Sequence, residues 1–310
     1  MRNEAPTLPA LWETIQAQTR PPDEIIIVDG GSGDETVPIC RRLTVKDDRV
    51  KLVETSGATP GQGRNIGIGA AKGEWIALTD AGIRLEPDWL ERLVEVGRSN
   101  PRVEVVYGNY EPLVNSFIDQ CSALAYVAPR EDKPGGRMRG PSIASCLMKK
   151  TVWAAVGGFP DGRAAEDLIF MRRVEEAGFK IGWAPQASVW WQLRPDLMST
   201  FRKFVLYSKH NVWAGMERYW HYGIARQYAV YLAAALLMIF HSLWWGLVPV
   251  LGFGARTLKS IWVRREGRGI LWALNPAQFL GVAGILLTID LATFLGWILA
   301  KTQRRAKGEA

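Results

Sequence analysis

Residues 24–28 read EIIIV and run directly into Asp29-Gly30-Gly31-Ser32-Gly33-Asp34. After Glu24 this is a run of β-branched apolar residues with no polar alternation, the pattern of a strand buried on both faces. Working outward, a short helix is predicted over 34–43, a strand over 50–53 and a helix over 63–71. A strand follows at Trp75–Leu78 (WIAL), then a helix over 87–96 with Pro87 near its start, then a strand over 103–106. This βαβαβαβ order predicts an α/β fold, a Rossmann-like and mostly parallel sheet with helices on both faces. Such sheets bind ligands beyond the carboxyl ends of their strands. Asp29 stands there after EIIIV, and Asp80 stands there after WIALT. Residues 6–18 read as a helix with no strand before it, although a right-handed crossover into 24–28 needs one. The chain therefore reads as beginning one strand late.

The 310 residues carry a formal charge of +7. Beyond Gln227 there are nine basic residues and three acidic ones, a local excess of +6, which leaves +1 for everything before. The N-terminal two thirds is thus nearly neutral, and no extended nucleic-acid-binding face is expected. Cys40, Cys121 and Cys146 show no CxxC spacing, so neither a disulfide framework nor a zinc site is expected. Met1-Arg2-Asn3-Glu4 offers no apolar segment of the kind a signal peptide needs. The turn at 29–34 is neither GxGxxG nor GxxxxGK[ST], which argues against a dinucleotide site or a P-loop. Gly135–Gly140 (GGRMRG) reads as a mobile loop.

The C-terminal third reads as membrane-associated. No Asp, Glu, Lys or Arg occurs between Arg226 and Arg256, and a span is expected over about 228–253. A second is expected over about 276–300, with Asn275 as N-cap and Pro276 as first helical residue. Residues 200–226 alternate aromatic and basic side chains and read as an interfacial segment on anionic lipid. The loop 256–268 holds five basic residues and the tail 301–307 holds four, yet one expected crossing separates them. The positive-inside rule asks for both on the same side. Asp290 lies inside the second span, where an unpaired carboxylate is costly, so a partner Arg or Lys or a functional role is expected.

Four segments together resemble the family 2 glycosyltransferases of GT-A fold: PPDEIIIVDGGSGDET (21–36), GQGRNIGIG (61–69), LTDAGIRLEPD (78–88) and GGFPDGRAAEDLIFMRRVEEAGFKI (157–181). Their order and spacing fit the family across about residues 2–194. The resemblance implies a GT-A domain over 1–199, the interfacial segment over 200–226 and a membrane domain over 227–310. It implies a nucleotide-sugar donor bound by Asn3, Glu4, Asp29, Gly31, Arg64, Asn65 and Asp80, with Arg64 facing the diphosphate. Asp167 is implied as general base for an inverting displacement, supported by Glu166. Arg194 and His210 are assigned to acceptor or phosphate. A divalent cation, Mg²⁺ or Mn²⁺, would sit at Asp80. The family's second acid of Asp-x-Asp is Gly82 here, which has no carboxylate to offer a hard cation, so metal dependence stays open.

The Gln-x-x-Arg-Trp signature of processive members is absent, since Gln192-Leu193-Arg194-Pro195 has another spacing; a single sugar addition is implied. The expected enzyme is a multi-pass protein of the cell membrane with its catalytic domain on the cytoplasmic face. Its acceptor would be lipid-linked or an envelope glycan, and its partners would be membrane lipid and donor, not nucleic acid. Two alternatives stand beside it: a degenerate, non-catalytic scaffold of a membrane assembly, and a polyprenyl-phosphate glycosyltransferase, whose acceptor is already ionised and barely needs a base.

Overall fold

The computed structural model describes residues 1–303; the part of the basic tail from Arg304 to Lys307 lies outside them. The chain opens with α1 (Leu8–Gln16), β1 (Ile25–Asp29), α2 (Thr36–Lys46), β2 (Val50–Glu54), α3 (Pro60–Ala70), β3 (Trp75–Leu78), β4 (Ile83–Leu85) and α4 (Trp89–Ser99). It continues through β5 (Val105–Leu113), α5 (Phe117–Tyr126), β6 (Glu131–Lys133), β7 (Gly136–Met138), β8 (Cys146–Lys149), α6 (Lys150–Ala155), α7 (Glu166–Glu176) and β9 (Ile181–Gln192). The remainder is helical: α8 (Leu197–Trp213), α9 (Glu217–Trp220), α10 (Tyr222–Phe240), α11 (Leu247–Val263), α12 (Ile270–Ala273) and α13 (Pro276–Thr302). Two compact units result. The first takes Met1–Glu111 and Arg130–Gln192; the second takes Pro112–Pro129 and the chain from Leu193 onward.

In the first unit the predicted strands and helices form, but the pairing differs from a mostly parallel sheet. β1 and β2 pair in parallel, with Ile27 opposite Leu52. The other five strands form one mixed sheet in the order β3-β8-β5-β9-β4. Within it β3 and β5 both run antiparallel to β8, and β4 runs antiparallel to β9. Alternation along the sequence identifies strands but not their partners. Here β8 and β9, far along the chain, pair with strands of the first hundred or so residues, so the local βαβ pattern could not show them. Residues of both sheets, among them Ile26, Lys51, Trp75 and Leu147, line a cavity of about 760 Å³. Among the described residues no strand pairs with the second edge of β1. Met1 lies against its end, its N–H donating to the Val28 carbonyl (2.6 Å) and its carbonyl accepting from Gly30 N–H (2.8 Å).

The cores follow the sheets. Leu93, Val106, Ala187 and Val189 are fully buried on one face of the mixed sheet, and Tyr107, Met148, Phe170 and Val174 on the other. The glycine-rich segment at 135–140 is not a free loop. Gly136–Met138 pairs antiparallel with Glu131–Lys133, and the glycines at 135 and 136 hold positive φ against Pro185. Buried Arg139 then anchors the hairpin on Glu111 at 2.9 Å.

The second unit corrects the first expected span. A helix does not run through 228–253. It stops at Phe240, and Ser242 caps a short turn of 3₁₀-helix over Leu243–Gly246 by accepting from Trp244 N–H. The chain then reverses into α11. A Cβ added at Gly246 would lie 2.7 Å from Met238 Sδ, and one at Gly252 would lie 2.8 Å from Tyr231 Oη, so α10 and α11 form a close antiparallel hairpin. Hydropathy alone registers an unbroken apolar run and does not register a turn made of apolar residues. α10 and α13 are the two helices long and apolar enough to cross a membrane among the described residues. Asp290 is paired as expected: fully buried, it takes both Arg256 Nη groups at 2.6 and 2.8 Å and the Tyr228 hydroxyl at 2.9 Å.

Candidate active site

The loop 29–34 is built by its own carboxylate. Asp29, 2% exposed, accepts from Gly31 N–H and Ser32 N–H at 2.8 and 2.9 Å and from the Ser32 hydroxyl at 2.5 Å. Gly31 has φ +83°, and a Cβ there would meet Gly57 N at 3.0 Å, so the turn requires glycine. Asn3, itself at φ 56°, closes the loop by accepting from Gly33 N–H (2.9 Å). Glu4 lies beside it, its backbone N–H donating to Thr36 Oγ1 (2.8 Å) and its carboxylate accepting from Thr7 (2.6 Å). Asn3, Glu4, Asp29 and Gly31 are thus brought together as one rigid turn after β1.

The segment at 61–69 is helix α3, and its start is fixed twice. Thr59 and Gln62 form a reciprocal capping box, and both also donate to Asp161 at 2.8 Å. Gly61 is required because a Cβ there would lie 2.1 Å from the Pro160 carbonyl. This docks α3 on the loop that leads to α7. Asn65 works within the same joint. Its Oδ1 accepts from Trp153 Nε1 and Phe159 N–H, and its Nδ2 donates to the Phe159 carbonyl, each at 2.8 Å. Asn65 therefore positions the Gly157-Gly158-Phe159 turn.

Beside Asn65 on the same helix, Arg64 joins the two halves of the site. Its Nη1 donates to Glu166 Oε1 at 2.8 Å and its Nη2 to Asp80 Oδ1 at 3.0 Å, with the guanidinium over the Phe159 ring. Burial alone would lower the Arg64 pKa, but the carboxylates of Asp80 and Glu166 outweigh it and hold the group fully charged. Glu166 and Asp167 open α7, and the residue before them, Ala165, has φ 67°. A non-glycine residue in that conformation is strained. Here the strain sits where the chain is turned to present two acids at a helix N-terminus, whose dipole favours their ionised forms. Glu166 is 6% exposed; burial raises its pKa, and Arg64 opposes only part of that rise. Its second oxygen, Oε2, is buried without a partner, as is the hydroxyl of Thr79 next to Asp80. Buried polar atoms are nearly always satisfied, so these two are notable beside the Arg64 bridge. Asp167 is half-buried and accepts from the N–H of Leu168 (2.8 Å).

The Asp80 side chain is 50% exposed, and a Cβ at Gly82 would touch nothing within 4 Å. Asp80 can give a divalent cation one carboxylate; among the described residues no cluster of three metal-ligating side chains surrounds it. A hard cation that keeps several waters fits such a sparse donor set. Arg194 and His210 belong to the second unit, where Arg194 is exposed and His210 is buried edge-on to Trp213. The buried set Asn109, Glu111 and Arg139, with exposed Arg130 also on Glu111, escapes sequence reasoning, because its members are spread along the chain with no motif among them.

Residues 1–136 match the glycosyl transferase family 2 profile. This segment is similar to family 2 glycosyltransferases. The succinoglycan biosynthesis protein ExoA of Rhizobium meliloti (strain 1021) is 26% identical over 285 residues, covering 84% of this chain and 83% of ExoA. ExoO of the same organism, also named for succinoglycan biosynthesis, is 37% identical over 94 residues, 30% of this chain and 26% of ExoO. The O-antigen chain rhamnosyltransferase RfbN of Salmonella typhimurium (strain LT2) is 26% identical over 193 residues, 58% of this chain and 60% of RfbN. The chain thus spans less than two thirds of ExoO and RfbN. Among solved structures, the mannosyltransferase PcManGT of Pyrobaculum calidifontis, in complex with GDP-Man and Mn²⁺, matches with a TM-score of 0.55 at 18% identity, covering 95% of this chain and 85% of that one. That likeness shows the GT-A fold, with its mixed sheet.

Proposed function

We propose that this protein is a family 2 glycosyltransferase, a membrane-bound, inverting enzyme that moves one sugar from a nucleotide-sugar donor to a lipid-linked or envelope-glycan acceptor. The observation that carries the reading is the Arg64 bridge between Asp80 and Glu166, with Asp167 beside it at the start of α7. Arg64 supplies a fixed positive charge where a diphosphate leaving group would develop charge. Asp167 takes the proton of the acceptor hydroxyl as that oxygen bonds the anomeric carbon, and the bond from that carbon to the diphosphate breaks on the opposite face. Glu166 holds Arg64 in place. The turn built on Asn3, Glu4, Asp29 and Gly31 bounds the nucleoside end. A divalent cation, Mg²⁺ or Mn²⁺, would be held by Asp80 and would neutralise diphosphate charge. The names of ExoA, ExoO and RfbN support a glycan of the cell envelope or exterior. The apolar second unit supports a position in the cell membrane, with the catalytic unit on the cytoplasmic face.

A second reading of the base is favoured by one observation. Glu166 has an unpartnered buried oxygen and a raised pKa, which are attributes of a general base. The test is nucleotide release from a panel of sugar nucleotides, using detergent-solubilised protein with membrane lipid extract, with and without EDTA. Release from one donor, abolished in Asp167→Asn and retained in Glu166→Gln, is expected. Retention in Asp167→Asn with loss in Glu166→Gln moves the base to Glu166. No release from any donor by folded protein overturns the enzyme reading in favour of a scaffold.

A further inference from the structure

The second unit resolves the conflict between its two basic segments. α13 is long enough to cross a bilayer, but neighbours clasp it along its whole length. At its start, Gln120 Nε2 of α5 donates to Gln278 Oε1 at 2.7 Å, and a Cβ at Gly281 would lie 2.5 Å from Cys121 Sγ. Toward its end it lies against α8. Ser208 Oγ donates to the Thr293 carbonyl (2.7 Å), and Trp213 Nε1 donates to the Ala300 carbonyl (3.2 Å). A Cβ at Gly296 would lie 2.5 Å from the Val205 carbonyl. The last turn is tied to α9, with Lys301 and Trp297 both bonded to Glu217.

These clasping helices are not lipid-compatible. α8 carries Arg202, Lys203 and Lys209, and α5 is capped by Ser116, which bonds Asp119 of its first turn. If α13 crossed, these charges would be drawn into hydrocarbon with it, at a high cost for each. α13 leaves one apolar stripe outward, Leu280, Leu287, Leu291, Leu295 and Ile298, at helical spacing.

The hairpin is the opposite case. α10 is almost wholly unburied, with Val230, Leu236, Ile239 and Phe240 exposed, and the turn exposes Leu243 and Trp244. No charge occurs between Arg226 and Arg256. From Arg226 to the turn at His241 is about 22 Å of helix at 1.5 Å per residue, enough to carry the turn past the middle of a core of about 30 Å. Beyond Arg256 the chain turns basic again, and Arg265 and Arg268 stack on Trp262 and Trp272 at 3.4 and 4.5 Å, an aromatic-basic layer suited to a headgroup region.

We infer that the α10–α11 hairpin enters the bilayer and returns to the same face, and that α13 lies along that face as an in-plane helix with its leucine stripe toward lipid. Arg226, the basic loop 256–268 and Lys301 then share one face, as the positive-inside rule asks. The inference rests on the membrane-bound reading above. It is tested in the full chain with Glu266→Cys and Gln303→Cys, both at accessible positions. Intact bacterial spheroplasts are treated with a membrane-impermeant maleimide before and after permeabilisation. The native cysteines are buried and serve as the blank. Equal behaviour is expected, with both sites protected in intact cells and both labelled once the membrane is opened. Labelling of Gln303→Cys in intact cells with protection of Glu266→Cys means that α13 crosses, and overturns the inference while leaving the membrane reading standing. Recovery of the protein in the soluble fraction after a carbonate wash overturns the membrane reading itself, and the inference with it.

Discussion

Asp290 in the second unit and Glu166 in the first are each buried against an arginine, and these two pairs are finished differently. In the second unit Asp290 is saturated: two guanidinium bonds and a tyrosine hydroxyl take up its oxygens. In the first unit Glu166 is left half-satisfied, with one oxygen on Arg64 and the other without a partner, while Arg64 also reaches out to half-exposed Asp80. A structural pair in an apolar setting has to be closed, because every unpaired polar atom there costs stability. A binding site stays open and completes itself with its ligand. The contrast separates a closed ion pair from an open one better than burial or distance does, since both arginine bonds are short and both acids are buried.

Four measurements would break or sharpen this contrast, the largest effect first. Asp167→Asn should lower turnover by about 10²–10⁴-fold, the range for a lost general base, with donor affinity little changed; an unchanged turnover would remove Asp167 from the chemistry. Asp290→Asn should leave the transfer reaction of folded protein intact but destabilise it by about 3 kcal/mol, the low end for a broken buried pair because Arg256 keeps some exposure. Thermal unfolding in detergent reads this, and a loss of activity without a loss of stability would make Asp290 functional.

Glu166→Gln should flatten the pH dependence of stability. Burial raises the Glu166 carboxyl above its ordinary value of 4.5, so the stability linked to its proton is fully present below that value and is lost as pH rises through the raised one. The glutamine has no such slope, and unfolding midpoints across a pH series would reveal it. An identical slope in both proteins would mean that Glu166 is not the group responsible. Smallest of all, Gly82→Asp fits in open space and should lower the divalent-ion concentration needed for half-maximal activity, by several-fold at most. No change would place the cation, if one is used, away from that turn.

Much of the candidate site is legible in the amino-acid sequence. Asp29, Arg64, Asp80, Glu166 and Asp167 each lie in a short segment with its own local grammar: an apolar strand ending in a glycine turn, a capped helix, or an acidic helix start. These features depend on neighbours a few residues apart. The bridge from Arg64 to Asp80 and Glu166 is not legible there, because it spans 16 and 102 residues of sequence. Nor can Asn65 be seen as the brace of the Gly-Gly-Phe turn, since a ligand-binding and a structural asparagine have the same sequence surroundings.

By itself the sequence determined the α/β class of the first unit, the position of most of its elements, the acids at their carboxyl ends and the apolar character of the C-terminal third. Local propensity and hydrophobic period set these, and they act over one or two turns of chain. Only the tertiary structure decided that β8 and β9 make the sheet mixed, that the first apolar run folds back at Ser242, that Arg256 closes on Asp290, and that α8 and α5 cover α13. Each depends on which surfaces meet once distant segments pack, and burial and pairing between such segments leave no periodic trace in the chain that carries them.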